Sequence, residues 1–221
     1  MTRTAPVLDR DDPAKPPLSG ATKVTREDWL RLARDILVHD GEGEVKVLAM
    51  GNRLGVSRSS FYWYFKDKQD LLKALLEDWD GRNTQVIRRH CEMPAASITG
   101  AVCNFFHCFV DPDLFDPGLD FAVREWSRRD PDVRTRIDEA DARRLTAITA
   151  MFERHGYDAA DADIRARILY FMQLGYHALD LREPADARLA RIEGYLRGFT
   201  GTEPNGTEID TFLNFARERL V

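Results

Sequence analysis

The stretch Leu48-Ala-Met-Gly-Asn-Arg-Leu-Gly-Val-Ser-Arg-Ser-Ser-Phe-Tyr-Trp-Tyr-Phe65 joins the ends of two short helical patterns, Val47 to Leu54 and Arg58 to Phe65, that meet at Gly55. At such a corner the chain needs a positive φ, which glycine adopts without steric cost. Val56 is placed to plug the angle between the helices, and Ser57 to cap the second one. This is helix-turn-helix logic. Gly51, four residues before Gly55, removes a side chain where the second short helix must come close, at some cost in helix propensity. Phe61 and Phe65, also four apart, point inward against Leu54 and the preceding helix. The remaining positions are Arg58, Ser59, Ser60, Tyr62, Trp63 and Tyr64, a mixture of aromatics, hydroxyls and a cation that is unusual on a surface facing only water. A DNA major groove suits this face, because it admits a helix and presents donors, acceptors and thymine methyls.

Charge supports the same reading. Over 45–73, Lys46, Arg53, Arg58, Lys66, Lys68 and Lys73 stand against Asp67 and Asp70, a surplus of +4 in a chain whose net charge is −5. Such a window neutralises several phosphates and makes binding salt-dependent, and the free amides of the next helix start, beside Lys68, add an anion site. The acidic remainder discourages indiscriminate contact away from the reading face.

Working outward, Thr25-x-x-Asp28 is a capping box ahead of the run Trp29, Leu32, Ala33, Ile36 and Leu37, which repeats at three and four and closes at Asp40-Gly41. Asp67-x-x-Asp70 caps a further run of Leu71, Leu72, Leu75, Leu76 and Trp79. Helical patterns follow over 95–110, 118–129, 132–155, 161–180, 187–198 and 206–219, with no sustained period-two alternation and no fixed-period repeat. The fold class is therefore all-α. At 221 residues, one domain of average size and a small one are expected. Residues 1–23, with Pro6, Pro13, Pro16 and Pro17, mixed charge and no period, are expected to form a flexible tail whose Asp residues nearly cancel Arg3, Arg10, Lys15 and Lys23.

Composition narrows the function classes. No stretch approaches the roughly 18 consecutive apolar residues of a membrane helix, and the N-terminus lacks the basic-then-apolar pattern of a signal peptide. Cys91, Cys103 and Cys108 are odd in number and lie in apolar helical surroundings, so a cytoplasmic, reducing location is expected, with no membrane partner. Cys103 and His107 are four apart on one helical face, as paired metal ligands require, but Cys108 projects elsewhere and no second pair is evident. No metal and no cofactor are expected. Arg124-Glu125-Trp126, Asp161 with Asp163, and Glu139 with Asp141 read as ion pairs and helix faces; without a phosphate loop, a nucleophile elbow or an arguable Ser/His/Asp set, no catalytic residues are assigned and the chain is not expected to be an enzyme.

Gly55-Val-Ser-Arg-Ser-Ser-Phe-Tyr-Trp-Tyr-Phe65 followed by Lys66-Asp-Lys-Gln-Asp-Leu-Leu72 resembles the DNA-binding signature of the tetracycline-repressor (TetR) family of bacterial regulators, with the likeness extending over 25–80. Leu119-Asp-Phe-Ala-Val-Arg-Glu-Trp-Ser-Arg-Arg-Asp-Pro131, with Tyr170 downstream, is similar to a recurring branch of that family. The resemblance implies a three-helix helix-turn-helix domain over 24–66 and a ligand-binding and dimerisation bundle over 67–221, linked by the helix from Asp67. It places Arg58, Ser60 and Trp63 where family members reach base edges, and Tyr62, Tyr64 and Lys68 where they hold phosphates, with Ser59 on the same face. Two departures stand out: Lys46 occupies the position of the usual phosphate-touching Thr, and Gly51 that of the usual Ala.

A single unit of this kind reads few base pairs, so a homodimer on a pseudo-palindromic operator of double-stranded DNA is implied. Ile168, Phe171, Met172, Gly175, Tyr176 and Leu179, with Phe212, Leu213 and Ala216, form apolar stripes suited either to a dimer seam or to burial within the subunit. The family places an effector cavity between reader and seam, where Phe105, Phe106, Phe109, Phe121, Trp126, Met151 and Tyr170 supply the aromatic and apolar lining such a site needs, or simply core. The chain is thus expected to be a ligand-responsive repressor; the alternatives are an all-α small-molecule binding protein or enzyme without DNA specificity, and a DNA binder without sequence preference.

Overall fold

The computed structural model describes residues 24–179, 181 and 183–219, which form twelve α-helices and no strand; the expected leader over 1–23 lies outside the described residues. The first helix, α1 (Arg26–Asp40), starts at the anticipated capping box: the Thr25 hydroxyl accepts the Asp28 amide at 3.2 Å, and the Asp28 carboxylate accepts the Thr25 amide at 2.8 Å. Gly41, at φ 85°, ends it and leads through a 3₁₀ turn, Glu42–Glu44, to α2 (Val47–Leu54), α3 (Arg58–Phe61) and α4 (Lys68–Trp79). Asp67 caps α4 by accepting the Asp70 amide at 2.9 Å.

The helix anticipated over Arg58 to Phe65 is only one turn long. The Tyr64 and Phe65 amides both donate to the Phe61 carbonyl, at 3.0 and 3.1 Å, so the chain tightens and brings the Phe65 ring to 5.3 Å from Phe61 in a stacked arrangement. Five successive aromatics, Phe61 to Phe65, each losing side-chain freedom against the preceding helical turn, favour this early stop.

Beyond Trp79 the chain does not break. A π turn, Asp80–Thr84, carries it into α5 (Gln85–Glu92), a helix not legible in the sequence because its buried positions, Val86, Ile87 and Cys91, are too few to set a period. Then come α6 (Ile98–Val110), α7 (Pro117–Ser127), α8 (Pro131–Arg154), α9 (Ala159–Ala178), α10 (Ala185–Leu189), α11 (Ile192–Thr200) and α12 (Gly206–Arg219). Asp116, Asp130 and Asp158 each accept amides at the start of α7, α8 and α9, and Pro117 and Pro131 stand where a missing N–H costs nothing. The single helix expected over 187–198 is divided at Ala190-Arg191 into α10 and α11.

Two apolar cores result. The first joins Trp29, Leu37, Met50, Leu54, Phe61 and Phe65 to Leu71, Leu75 and Trp79 of α4, and continues into Leu119 and Val123 of α7 and Val133, Ile137 and Ala140 of α8. The second gathers α5, α6, the end of α8, α9, α11 and α12 around Phe105, Phe152, Leu169 and Leu196. Packing therefore runs without a gap from the reader across α4 into the body.

Candidate nucleic-acid interface

The corner between α2 and α3 is built as its glycines suggest. Gly55 is left-handed at φ 67°, and the Val56 amide donates to the Gly51 carbonyl at 3.0 Å. A Cβ on Gly51 would stand 3.1 Å from the Val56 carbonyl oxygen, so the missing side chain does permit the close approach. Ser57 departs from expectation: its hydroxyl takes no helix amide and instead lies 2.7 Å from the Ser59 hydroxyl. The Phe61 ring, fully buried, meets Trp29 edge-on at 5.3 Å.

With Phe61 and Phe65 committed inward, Trp63 is left 84% exposed and Tyr62 48% exposed. Arg58 lies across Tyr62, donating to its hydroxyl from Nη2 at 2.7 Å and from Nε at 3.2 Å. That pair orders a long cation before any partner arrives, lowering the entropy cost of binding. Ser59 is exposed and Ser60 half-buried beside it. Tyr64 is placed differently from the others: half-buried, it donates its hydroxyl to the Val24 carbonyl at 2.9 Å, so it buttresses the start of α1.

The two candidate phosphate lysines are occupied by acids. Lys68 Nζ is 2.6 Å from the Glu42 carboxylate, and Lys46 Nζ is 3.0 Å from that of Glu44. Glu42 and Glu44 lie just before the basic window, which begins at residue 45; extended to 42–73, its surplus falls to +2. Leu48, exposed on α2, is a further apolar group near this face that periodicity did not single out.

Residues 30–75, from within α1 into α4, match the family model described as bacterial regulatory proteins, tetR family. The chain carries the DNA-binding domain of the TetR family. It is therefore a DNA-binding transcriptional regulator, and members of this family are regulators rather than enzymes. No curated protein matches the chain. Among solved structures it is similar to Salmonella enterica GusR, at 16% identity and TM-score 0.54, covering 88% of this chain and 94% of that one. Mycobacterium smegmatis AmtR matches at 18% identity and TM-score 0.53, over 91% of this chain and 97% of that one. A protein from Mesorhizobium loti titled as a TetR-family transcriptional regulator matches at 14% identity and TM-score 0.54, over 86% and 95%. At these identities the likeness is one of fold.

In the body the aromatic set expected to line one cavity separates into three groups. Phe105, Met151 and Tyr170 are packed solid in the core. Phe106 and Phe109 do border a cavity, a narrow one of about 70 Å³, together with Met172, Tyr176 and Phe212. Phe121 and Trp126 instead border an outer cleft of about 960 Å³ against the end of α1 and Glu42–Glu44, because Leu119, Asp120, Val123 and Ser127 take the inner face of α7.

The apolar stripes are likewise sorted. On α9, Ile168 and Phe171 are 53% and 51% exposed and Leu179 71%, with Ile164 exposed one turn earlier and open space over Gly175. Met172 and Tyr176 turn toward the cavity. On α12, Phe212 and Ala216 are buried in the subunit's own core, the second of the two placements their period allows, with Leu213 half-buried beside them. They are held there by α6, whose Ser97 and Thr99 hydroxyls donate to Glu208 of α12 at 2.7 Å. Cys103 is buried and His107 stacks on Phe212 at 5.4 Å; among the described residues no three His, Cys, Asp or Glu groups are placed to hold a metal. Among them, too, no helix is long and apolar enough to cross a membrane.

Between reader and body lies a polar knot. Asp120 of α7, fully buried, accepts Trp79 Nε1 of α4 at 2.8 Å, Arg124 at 2.9 Å and Arg144 of α8 at 2.8 Å. Burial alone would raise its pKa, but the Arg144 and Arg124 guanidiniums outweigh that and hold the carboxyl well below the usual range. Arg124 also grips Asp141 with two bonds, at 2.9 and 2.7 Å, and Tyr170 donates to Asp141 at 2.6 Å. The Arg124 and Asp141 groups are thus ion pairs, as the sequence suggested.

His177 of α9 gives a test of the body's packing. Burial, helped by nearby Arg188 and opposed by Asp120, pushes its pKa down to about 4 from 6.5. A folded state that keeps a histidine neutral loses stability as pH falls from about 6.5, where the unfolded chain takes up the proton, to about 4, below which the loss is complete. Allowing for partial exposure, His177→Gln should remove about 2 kcal/mol of that dependence, read by urea unfolding of both proteins at pH 7 and pH 4.5. An unchanged pH slope would mean that the ring is hydrated.

Proposed function

We propose that this TetR-family regulator is a homodimeric repressor that places the face from Arg58 to Phe65 in the major groove of each half of a pseudo-palindromic operator, and that a small molecule bound in the body modulates this binding. The observation that carries the reading is the face itself: Trp63 is the most exposed large apolar side chain described, next to an ordered Arg58–Tyr62 pair and two serines. Trp63 and Arg58 would meet base edges, with Ser59 and Ser60 beside them. Lys46, Lys68 and Tyr62 would meet phosphates, the lysines after leaving Glu44 and Glu42. Tyr64 would join them only by giving up Val24. On this reading residues 24–66 form the reader and 67–221 the regulatory body, with α4 as the transmitting element, since its last residue is bonded to the body through Asp120.

Selection of bound fragments from random DNA tests the proposal, and an inverted repeat is the expected product. On that site Trp63→Ala should cost about 1–3 kcal/mol, with weaker discrimination at one position in each half. Lys68→Ala should weaken binding to all sequences alike and reduce the slope of log affinity against log salt by about 1 per subunit. Anisotropy titrations with selected and scrambled duplexes separate the two effects. If both variants retain wild-type affinity, this face does not read DNA.

A further inference from the structure

The cavity of about 70 Å³ among α6, α9, α10 and α11 is apolar on most sides, its walls including Phe106, Phe109, Met172 and Phe212. The polar lining groups are Gln173, Tyr176, Arg188 and Tyr195. Of these, Gln173 is held by His177 at 2.9 Å, and the Tyr176 and Tyr195 hydroxyls lie 2.9 Å apart. Among the described residues on the lining, Arg188 of α10 is the one charged side chain and none is a carboxylate. Its guanidinium rests 5.2 Å from the Tyr176 ring centroid in a cation–π contact, and no hydrogen bond joins it to another described residue.

The neighbouring carboxylate, Glu183, is already satisfied. It accepts Arg191 Nη1 at 2.8 Å and the Tyr176 hydroxyl at 3.2 Å. His177 stays neutral at pH 7 and adds no second cation. An apolar space with a single cation on its lining selects its occupant by complementarity: a neutral hydrocarbon leaves Arg188 unmatched, an ammonium is repelled, and a carboxylate completes a charge-assisted fork.

We propose that this cavity binds an amphipathic organic anion of small size, its carboxylate on Arg188 and its aromatic or short aliphatic body between Phe106, Phe109, Met172 and Phe212. The space is smaller than the roughly 150 Å³ that holds benzene in an engineered protein cavity. Entry therefore displaces α10, the one-turn helix that carries both Arg188 and Leu189 of the wall. The inference rests on the effector reading above, and names the chemistry of that effector.

Calorimetric titration of the full chain with phenylacetate and hexanoate, each against its primary alcohol and its amine, tests it. Both carboxylates are expected to bind at least tenfold tighter than the matching alcohols, and the amines not at all. Arg188→Met should abolish that preference while alcohol binding persists, and Arg188→Lys should restore part of it; melting curves confirm that both variants fold. Equal affinity for acid and alcohol, a preference that survives Arg188→Met, or no binding by either carboxylate would overturn the proposal. Anisotropy with the selected operator, with and without phenylacetate, separates the two readings: an anion that binds through Arg188 yet leaves DNA affinity unchanged keeps the ligand class and removes the effector role.

Discussion

Replacing Arg144 with Met should lower the unfolding free energy by about 3–5 kcal/mol, the range for breaking a buried ion pair from one side. Arg144 is fully buried and makes three bonds: to Asp120 at 2.8 Å, to the Thr84 hydroxyl at 3.1 Å and to the Tyr170 hydroxyl at 3.1 Å. Its guanidinium also lies 5.3 Å from the Trp79 ring centroid. Met fills similar volume but leaves Asp120 buried with Arg124 as its remaining cation. The penalty is therefore mainly that of a stranded carboxylate. Two controls separate this cause from lost packing. Adding Asp120→Asn to Arg144→Met should recover part of the loss, because the uncompensated charge is gone. The acid limb should also change. A carboxylate held below its unfolded pKa contributes stability that is present above pH 3.8 and lost as pH falls below it, so Arg144→Met should flatten the decline below that pH. Urea unfolding at pH 7 and pH 3 measures both quantities. A loss under 1 kcal/mol at pH 7 would mean that water reaches the knot.

How much of this was legible in the sequence depends on the range of the forces involved. Local rules sufficed where they act locally: the Thr25–Asp28 box, the Asp67 cap, and Gly55 and Gly51 at the corner all serve within one or two turns, and each was read from residue type and spacing. The split of the reader's face into buried Phe61 and Phe65 and exposed Trp63 also follows from spacing. What spacing could not reveal was competition across the fold. Glu42 meets Lys68 26 residues away, and Tyr64 reaches Val24 across 40, so the lysine is occupied and the tyrosine is turned inward. The body was less legible for the same reason. Phe106 and Phe105 are adjacent and chemically alike, yet one borders a cavity and the other fills core, a difference set by which neighbours α9 and α11 bring. The α12 stripe had the right period for a seam, but α6 satisfied it first through Glu208.

The α9 stripe, left over after that competition, carries the second large effect. Ile168→Glu together with Phe171→Glu should leave the subunit folded and reduce operator affinity by roughly 10²–10⁴-fold, the avidity expected when two linked binding units become one. Both side chains are half exposed in the isolated subunit, and with Ile164, Gly175 and Leu179 they follow the helix at intervals of three and four, forming one continuous face. Large apolar groups gathered on one face are what an interface core supplies, and a two-fold axis would oppose each to its own copy. Four carboxylates brought together there by a dimer would repel in a desolvated setting, whereas in the monomer they remain hydrated. Sedimentation velocity at micromolar concentration should show a dimer for the parent chain and a monomer for the variant. Circular dichroism at 25 °C should show equal helix content in the two, which separates lost assembly from lost folding. The salt dependence of residual DNA binding should fall to about half the parental slope, because one reader neutralises half the phosphates. A variant that remained dimeric would move the seam off α9, and a monomer that kept parental operator affinity would mean that one reader suffices.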